Sequence, residues 1–256
     1  MELHALPHLT AEQSLEAEQL LTTEFSLELQ QVMEVAGLHL ARLTRERILQ
    51  QGLQGKRLLV LAGRGNVGGA ALAAARYLQN GGAKVTVVLA HLPHYLMQVP
   101  LHQYNALLKT DCEVLAEEGS VTDLLSLGAF DGIIDGILGY RLKGIPHGEV
   151  AQLIQQAGAM ATPILAAEVP SGLHPTTGEI HAPAIEAYCT MAIGLPAKGL
   201  FSEDARHLVG ELFLADCGIP AELYHRMGID VQLPFAENSI IRVPLTDDLD
   251  DVYLDT

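Results

Sequence analysis

The chain has 256 residues, of which 49% are hydrophobic and 18% are charged, a composition that supports a sizeable buried core. The 15 Lys and Arg residues stand against 31 Asp and Glu residues, which gives a formal net charge of -16. That charge repels phosphate backbones and anionic membrane surfaces, so we expect a globular protein that binds neither nucleic acid nor a membrane.

The first predicted elements are helices within residues 10–50. Thr10 and Gln13 have the spacing of a capping box, and Ser26 is a candidate cap for a second helix. Apolar residues then recur at helical spacing, at Leu29, Val32, Met33, Ala36, Leu40 and Leu43. We expect two helices that pack on the sheet formed by the rest of the chain.

From residue 57 onward the pattern changes to short apolar runs separated by helical or loop stretches. The predicted strands lie at residues 58–62, 85–90, 132–134 and 163–169, and further runs at 190–194 and 211–215 could extend the sheet. Runs that are continuous rather than alternating indicate strands buried on both faces. The predicted fold class is therefore α/β, with three layers (α/β/α), a mostly parallel central sheet and N-terminal helices.

A glycine-rich loop follows the first predicted strand. Gly63, Gly65 and Gly68 satisfy the pattern G-x-G-x-x-G, which joins a strand to a helix in dinucleotide-binding proteins. Backbone N–H groups and the N-terminus of the following helix can hold a phosphate there without any side chain. The alternative is a turn without a ligand, but so many glycines would raise the entropy cost of the loop without a function. We therefore expect phosphate binding.

Polar residues also lie near the ends of two later strands. Asp135 follows the third run, where an Asp can bind a cation, orient a hydroxyl group or simply cap a helix. Glu168 and Ser171 lie at the end of the fourth run, beside a proline and a glycine that predict a sharp turn. Because the carboxyl ends of parallel strands share one edge, these side chains should converge on the glycine loop. The hypothesis is acid–base catalysis, and the alternative is a plain turn with an exposed carboxylate.

The acidic residue that nicotinamide dehydrogenases place after their second strand is missing. In those proteins it binds the adenine ribose, about 20 residues beyond the glycine loop. Here the second run is followed by His91, Leu92 and Pro93. An NAD-dependent oxidoreductase is therefore disfavoured.

The cysteines and the two ends of the chain predict the cellular compartment and the division into domains. Cys112, Cys189 and Cys217 are odd in number and lack C-x-x-C spacing, which favours reduced thiols in the cytoplasm. Residues 1–4 do not begin a secretory signal, and no apolar run approaches the roughly 18 residues of a membrane span. We interpret residues 1–238 as a single domain and residues 239–256, without helical or strand periodicity, as a mobile acidic tail.

Taken in order, these motifs resemble the YjeF N-terminal domain family, the NAD(P)H-hydrate epimerases. The similar segments are residues 32–37 (V-M-E-V-A-G), 63–69 (the glycine loop), 135–144 (D-G-I-L-G-Y-R-L-K-G), 169–178 (the turn after Glu168), 197–199 (A-K-G) and 216–220 (D-C-G-I-P). The resemblance covers most of residues 10–225. It implies a Rossmann-like α/β/α fold, a homodimer, and interconversion of the R and S epimers of hydrated NADH or NADPH.

The resemblance also implies the roles of particular residues. The nicotinamide nucleotide becomes a substrate rather than a redox cofactor, and its expected contacts are Gly65, Asn66, Val67, Gly68, Gly69, Gly139, Lys143 and Gly144. Glu168 takes the place of the catalytic Asp of the family, and Asp135 and Ser171 take the places of two potassium ligands. Too few residues follow Pro220 for a second catalytic domain, so we expect any ATP- or ADP-dependent dehydratase partner to be a separate protein.

The departures from the family fall on functional positions. Val67 replaces an Asn that binds the cation in the family and has no oxygen to offer, which weighs against potassium. Ala70 replaces an Asp of the loop, and Glu168 shifts its carboxylate by one methylene; a displacement of about 1 Å can slow catalysis roughly 100-fold. Two hypotheses stay open: an epimerase, impaired by these departures, and a non-catalytic nucleotide-binding or protein-interaction dimer.

Overall fold

A sheet of parallel strands with helices on both faces forms the framework of the protein. The computed structural model describes residues 6–50, 52–116 and 121–245. The strands are β1 (Arg57–Ala62), β2 (Lys84–Leu89), β3 (Glu113–Leu115), β4 (Gly132–Gly136), β5 (Ile164–Ala167), β6 (Cys189–Ile193), β7 (Glu211–Ala215) and β8 (Ile240–Val243). The helices are α1 (Ala11–Thr23), α2 (Leu29–Leu43), α3 (Asn66–Asn80), α4 (Gln98–Leu107), α5 (Gly148–Ala159), α6 (Arg206–Val209) and α7 (Ala221–Arg226).

The order of the strands confirms the predicted α/β class. Within the described residues the sheet has the order β3-β2-β1-β4-β5-β6-β7-β8. Every neighbouring pair is parallel except β7 and β8, which are antiparallel. The central strands are buried along nearly their whole length, as the continuous apolar runs predicted.

Helices cover both faces of this sheet and complete the three layers. On one face, α2, α3 and α4 pack against alternate side chains of the strands. On the other face, α5 covers the β1–β4–β5 region, and α1, α6 and α7 cover the end nearer to β7. None of the described helices is long and apolar enough to cross a membrane.

The N-terminal helices agree with the sequence except at one cap. Thr10 and Gln13 form the predicted capping box of α1. The prediction that Ser26 caps α2 is wrong, because α2 begins after Glu28. Ser26 instead has a φ of 52°, a left-handed turn conformation in which the chain reverses between the two helices. A π-helical turn, Thr44–Leu49, extends α2.

Two strands at the edges of the sheet were not predicted. β3 is only three residues long, too short for an apolar run to reveal it. The interpretation that the chain lacks strand structure from residue 240 onward is wrong for Ile240–Val243, which pair with β7 and cover its edge. The tail aspartates, Asp247, Asp248, Asp250, Asp251 and Asp255, lie outside the described residues, and the tail itself remains a prediction.

Glycines bring the loop after β1 close to its neighbours. A Cβ at Gly63 would collide with the carbonyl group of Ile137, and a Cβ at Gly68 would collide with the carbonyl group of Gly63. Both positions therefore exclude any side chain, so α3 can start directly beside the ends of β1 and β4. This close approach sets the position of the candidate site.

Candidate active site

The N-terminus of α3 supplies the backbone donors that the glycine loop predicted. α3 begins at Asn66, with Gly65 at the N-cap position and no side chain capping the helix. The Gly69 N–H donates to the Gly65 carbonyl oxygen at 3.1 Å, so the helical turn is closed while earlier N–H groups lack helical partners. The positive end of the helix dipole therefore faces the loop, which favours an anion.

A cleft of about 620 Å³ opens at the carboxyl ends of the strands. We call it the basic cleft; its walls include Arg64, Gly65, Asn66, Val67, His91, Gly139, Tyr140, Arg141, Lys143, His147 and Glu168. Three positively charged side chains therefore line the cleft of a protein whose net charge is -16: Arg64, Arg141 and Lys143. The local charge and the helix N-terminus both favour the phosphates of a nucleotide.

Most of the predicted substrate contacts lie at this cleft, and three do not reach its wall. Gly68 and Gly69 lie buried in the first turn of α3, where Gly69 packs against Met33. Gly144 has a φ of 72° and turns the chain beside Lys143, and its carbonyl oxygen accepts a hydrogen bond from His181 Nδ1 at 2.9 Å. These glycines shape the wall rather than form it.

Glu168 lies in the wall of the cleft, directly after β5. Its Oε2 accepts a hydrogen bond from the Tyr140 backbone N–H at 2.9 Å, and its own N–H donates to the Met191 carbonyl oxygen at 2.8 Å. Burial raises the pKa of its carboxyl group, the Tyr140 N–H and Arg141 lower it and the Glu18 carboxylate raises it, and together they bring the pKa from 4.5 to about 7. Both protonation states of Glu168 are therefore populated near neutral pH.

Asp135 and Ser171 are brought together, as predicted, but underneath the cleft. Both are fully buried, and Asp135 belongs to β4 itself rather than to the loop after it. Asp135 accepts bonds from Ser171 Oγ at 2.6 Å, from Ser171 N at 2.8 Å and from Ile137 N at 3.2 Å. Ser171 Oγ in turn accepts from Leu138 N at 2.9 Å. This pair joins the turns after β4 and β5.

The Asp135–Ser171 pair has little capacity left for a cation. Three donors already occupy the Asp135 carboxylate, and the Ser171 hydroxyl both donates and accepts. Val67, at the position where the family has an Asn ligand, presents only methyl groups. A hard cation requires several oxygen ligands at once, so these residues do not fit the potassium site that the resemblance implies. Burial, opposed by the bonds from Ser171, raises the pKa of Asp135 to about 6.

Three polar residues of the site were missed in the sequence. The Tyr140 hydroxyl donates to Glu18 Oε2, and Arg141 forms an ion pair with the other oxygen of the same carboxylate. Tyr140 and Arg141 lie inside the motif at residues 135–144, but Glu18 lies on α1 with no local signal. Tyr140 thus contacts Glu18 through its side chain and Glu168 through its backbone. Burial and the neighbouring carboxylates raise the pKa of the Tyr140 hydroxyl, which stays protonated.

The fold and the cleft together define a three-layer α/β/α protein with a carboxylate set in a basic depression at the carboxyl ends of its strands. The chain belongs to the family described as YjeF-related protein N-terminus, whose model matches residues 29–199. It is 34% identical to an NAD(P)H-hydrate epimerase of Dehalogenimonas lykanthroporepellens over 89% of both chains. These matches confirm the resemblance inferred from the motifs.

Two further comparisons extend this result. A protein of Moorella thermoacetica named bifunctional NAD(P)H-hydrate repair enzyme Nnr is 32% identical over 84% of this chain, which spans 41% of that longer protein. The crystal structure of a yeast protein, at 22% identity, matches 93% of this chain and 100% of its own with a TM-score of 0.74. The second match supports the three-layer fold.

Proposed function

We propose that this protein is an NAD(P)H-hydrate epimerase that interconverts the R and S epimers of hydrated NADH and NADPH. The observation that carries the proposal is the position of Glu168, a carboxyl group with a pKa of about 7, in the wall of a basic cleft. The epimerase relative at 34% identity supports the same reaction. The nicotinamide nucleotide is then a substrate of nucleotide repair, and no redox role is assigned to it.

The nucleotide phosphates bind at the start of α3 and beside the basic side chains of the cleft. The free N–H groups of the first turn and the glycine loop around Gly65 surround one phosphate. Arg64 and Lys143, both in the wall of the cleft, neutralise the remaining charge. Phosphates fixed in this way leave the nicotinamide end of the molecule to reach Glu168.

Glu168 moves the proton that the reaction requires. In its acid form it donates a proton to the hydroxyl group at C6, the C6–O bond breaks, water leaves, and the lone pair of the ring nitrogen forms a C=N bond. Water then adds to the opposite face of C6, the C=N electrons return to nitrogen, and the proton released restores the acid form of Glu168, directly or through water. A pKa near 7 suits both directions of this transfer.

Potassium takes no part in this proposal. The Asp135–Ser171 pair is already satisfied by hydrogen bonds within the protein, and Val67 adds no oxygen. Asp135 and Ser171 instead hold the turns after β4 and β5 at a fixed separation, which keeps Glu168 opposite residues 137–141. Their role is to position the catalytic carboxylate.

A second candidate function is that of a non-catalytic dimer that binds the nucleotide or another protein. The substitutions Val67, Ala70 and Glu168 favour it, because each replaces a polar or shorter acidic residue of the family at the site. Ligand binding by calorimetry tests this candidate with NADP and ADP-ribose. If neither ligand gives heat at millimolar concentrations, nucleotide binding is excluded. The remaining role of a non-catalytic dimer is then the binding of another protein.

The partners of the chain follow from its relatives. The bifunctional repair enzyme of Moorella thermoacetica extends well beyond the matched region. We infer that an ATP- or ADP-dependent dehydratase is a partner, that the protein acts in the cytoplasm and that a homodimer is the working form. Co-purification with an ATP- or ADP-dependent dehydratase and sedimentation equilibrium are the corresponding measurements.

The direct test follows one purified epimer of hydrated NADH by chromatography as it equilibrates. The protein should accelerate equilibration, equally in potassium and sodium buffers, and Glu168→Gln should abolish the acceleration. Glu222→Gln, which changes an exposed carboxylate on α7, is the matched control and should retain full activity. Equilibration at the uncatalysed rate would exclude the epimerase.

A further inference from the structure

The loops after β1 and β2 bring an arginine and a histidine to the same part of the basic cleft. The two strands pair in parallel, with Ala62 opposite Leu89, and Arg64 and His91 each lie two residues beyond this pair. The Met97 N–H donates to the Arg64 carbonyl oxygen at 2.9 Å, which ties the two loops together. Arg64 and His91 both line the cleft. They form its end at β1 and β2.

His91 has a hydrogen-bonding group that the protein does not use. Its Nδ1 is buried and has no hydrogen-bond partner within the described residues, which is uncommon for a buried ring nitrogen. Burial and the charge of Arg64 lower the pKa of His91, while the Glu149 carboxylate raises it. The imidazole is therefore predominantly neutral at pH 7, with one N–H donor and one acceptor.

Arg64 supplies a positive charge at this end of the cleft. Its side chain is exposed, and none of the described carboxylates forms an ion pair with it. Among the described residues that line the cleft, Glu168 is the only acid. β2 and β5 are separated in the sheet by β1 and β4, which at ~4.8 Å per strand amounts to about 14 Å. The arginine and the histidine are therefore remote from the catalytic carboxylate.

In dinucleotide-binding folds, the end of the second strand contacts the adenine ribose. An acid at that place accepts a hydrogen bond from the 2′-hydroxyl group, whereas a nearby arginine accommodates a 2′-phosphate. Here His91 takes the place of the acid, and Arg64 lies beside it. A guanidinium group and an N–H donor both suit the oxygens of a phosphate monoester. A 2′-hydroxyl group would leave the charge of Arg64 without a partner.

We propose that Arg64 and His91 bind the 2′-phosphate of the substrate, so that this chain prefers hydrated NADPH to hydrated NADH. This inference rests on the proposed function, because that function places the nucleotide in the cleft with its nicotinamide end at Glu168. The start of α3, which follows β1, lies between the two ends and holds the pyrophosphate. The substrate then spans the cleft from β2 to β5.

Binding of nucleotides that lack the nicotinamide ring tests this preference without any turnover. ADP-ribose 2′-phosphate and ADP-ribose differ only in the phosphate on the adenine ribose. In calorimetric titrations the former should bind at least about tenfold more tightly, because its added phosphate forms charge-assisted hydrogen bonds. Equal affinities would overturn the inference, and so would the absence of binding by either ligand.

Two variants test where the 2′-phosphate binds. His91→Asp should reverse the preference, because a carboxylate repels the phosphate and accepts a hydrogen bond from the 2′-hydroxyl group. Arg64→Gln should bring the two affinities to within about twofold of each other, because the charge that attracts the phosphate is removed.

Two matched controls make the same changes of charge outside the cleft. His207→Asp and Arg206→Gln alter exposed residues of α6, and both should keep the preference of the unmodified protein. Unfolding midpoints identify a variant that fails to fold, and the other cleft variant then decides. A full preference for ADP-ribose 2′-phosphate in both His91→Asp and Arg64→Gln would overturn the inference.

The failure of this inference and the failure of the proposed function give different results. A preference for ADP-ribose 2′-phosphate that both cleft variants remove, in a protein that does not equilibrate the epimers, would keep the phosphate site and exclude the epimerase. Equilibration of hydrated NADH and hydrated NADPH with equal kcat/KM, together with equal affinities for the two ADP-ribose ligands, would keep the epimerase and overturn the phosphate site.

Discussion

At the scale of single residues, Glu168 combines an unusual backbone with an unusual carboxyl group. Its φ is 69°, in the left-handed region, which costs a residue with a side chain about 1–2 kcal/mol. Hydrogen bonds to Met191 and from Tyr140 hold it in this conformation. Strain of this kind is concentrated at functional sites, and here it belongs to the carboxylate in the wall of the basic cleft.

The raised pKa of Glu168 predicts a dependence of stability on pH. Between 4.5 and about 7, the folded protein binds more protons at this residue than the unfolded chain does. The contribution of Glu168 to stability is therefore greatest below pH 4.5 and is lost as the pH rises through about 7. Relative to Glu168→Gln, the unmodified protein should lose about 1–3 kcal/mol across this window in urea unfolding. Parallel curves for the two proteins would contradict the assigned shift; Glu222→Gln should follow the unmodified protein.

Val67 predicts indifference to potassium. Replacing potassium by sodium should leave the unfolding midpoint unchanged, because the residues around Asp135 lack a complete set of oxygen ligands. Val67→Asn restores the amide oxygen of the family and should produce a midpoint that rises with potassium but not with sodium. Val67→Leu, which keeps the position apolar, is the control. A potassium-dependent midpoint in the unmodified protein would contradict the prediction.

At the scale of elements, α1 is tied to the loop after β4 through Tyr140. The Tyr140 hydroxyl and Arg141 both bind Glu18 on this helix. The loop in turn donates its backbone N–H to Glu168. The position of α1 and the environment of the carboxylate are thus coupled through Tyr140, and Arg141 makes a second contact to Glu18.

Tyr140→Phe should loosen α1. Loss of a hydrogen bond to a charged group should lower the free energy of unfolding by about 1–3 kcal/mol. Amide hydrogen exchange should become faster in residues 11–23, because one of the two contacts from the loop to Glu18 is removed. Tyr188→Phe, which removes the hydroxyl of an exposed tyrosine, should change neither quantity. Unchanged exchange in α1 would show that the Tyr140 hydroxyl does not hold the helix.

The elements also show what the sequence can and cannot predict. Continuous apolar runs identified the central strands, since burial on both faces leaves that pattern in the sequence. Glu113–Leu115 was missed because three residues carry no recognisable period. The link from Glu18 to Tyr140 was missed because it joins residues far apart in sequence, and only the packing of α1 over the sheet brings them together.

At the scale of the whole molecule, β8 completes the sheet. It pairs with β7 over four residues, and its last residue, Val243, is buried. Without it, the edge of β7 would present unpaired backbone groups to solvent and to other chains. The residues that follow β8 in the sequence are rich in Asp, and for this reason the strand was interpreted as part of an acidic tail.

Truncation tests that role. A chain ending at Glu237 should lose about 2–4 kcal/mol of stability, from the buried valine and the strand hydrogen bonds, and should self-associate through the exposed β7 edge. A chain ending at Leu245 retains β8 and serves as the control. Urea unfolding and light scattering are the measurements. Equal stability and a monodisperse solution for both truncations would contradict the role of β8.

The basic cleft within an acidic molecule has a kinetic consequence. A nucleotide approaching from a distance meets the field of a body with a charge of -16, and meets attraction only close to the cleft. Salt at about 0.1 M screens charges beyond about 10 Å, so it removes the distant repulsion before the local attraction. Nucleotide association, measured by stopped flow, should therefore accelerate with moderate salt, whereas an electrostatically steered ligand would slow.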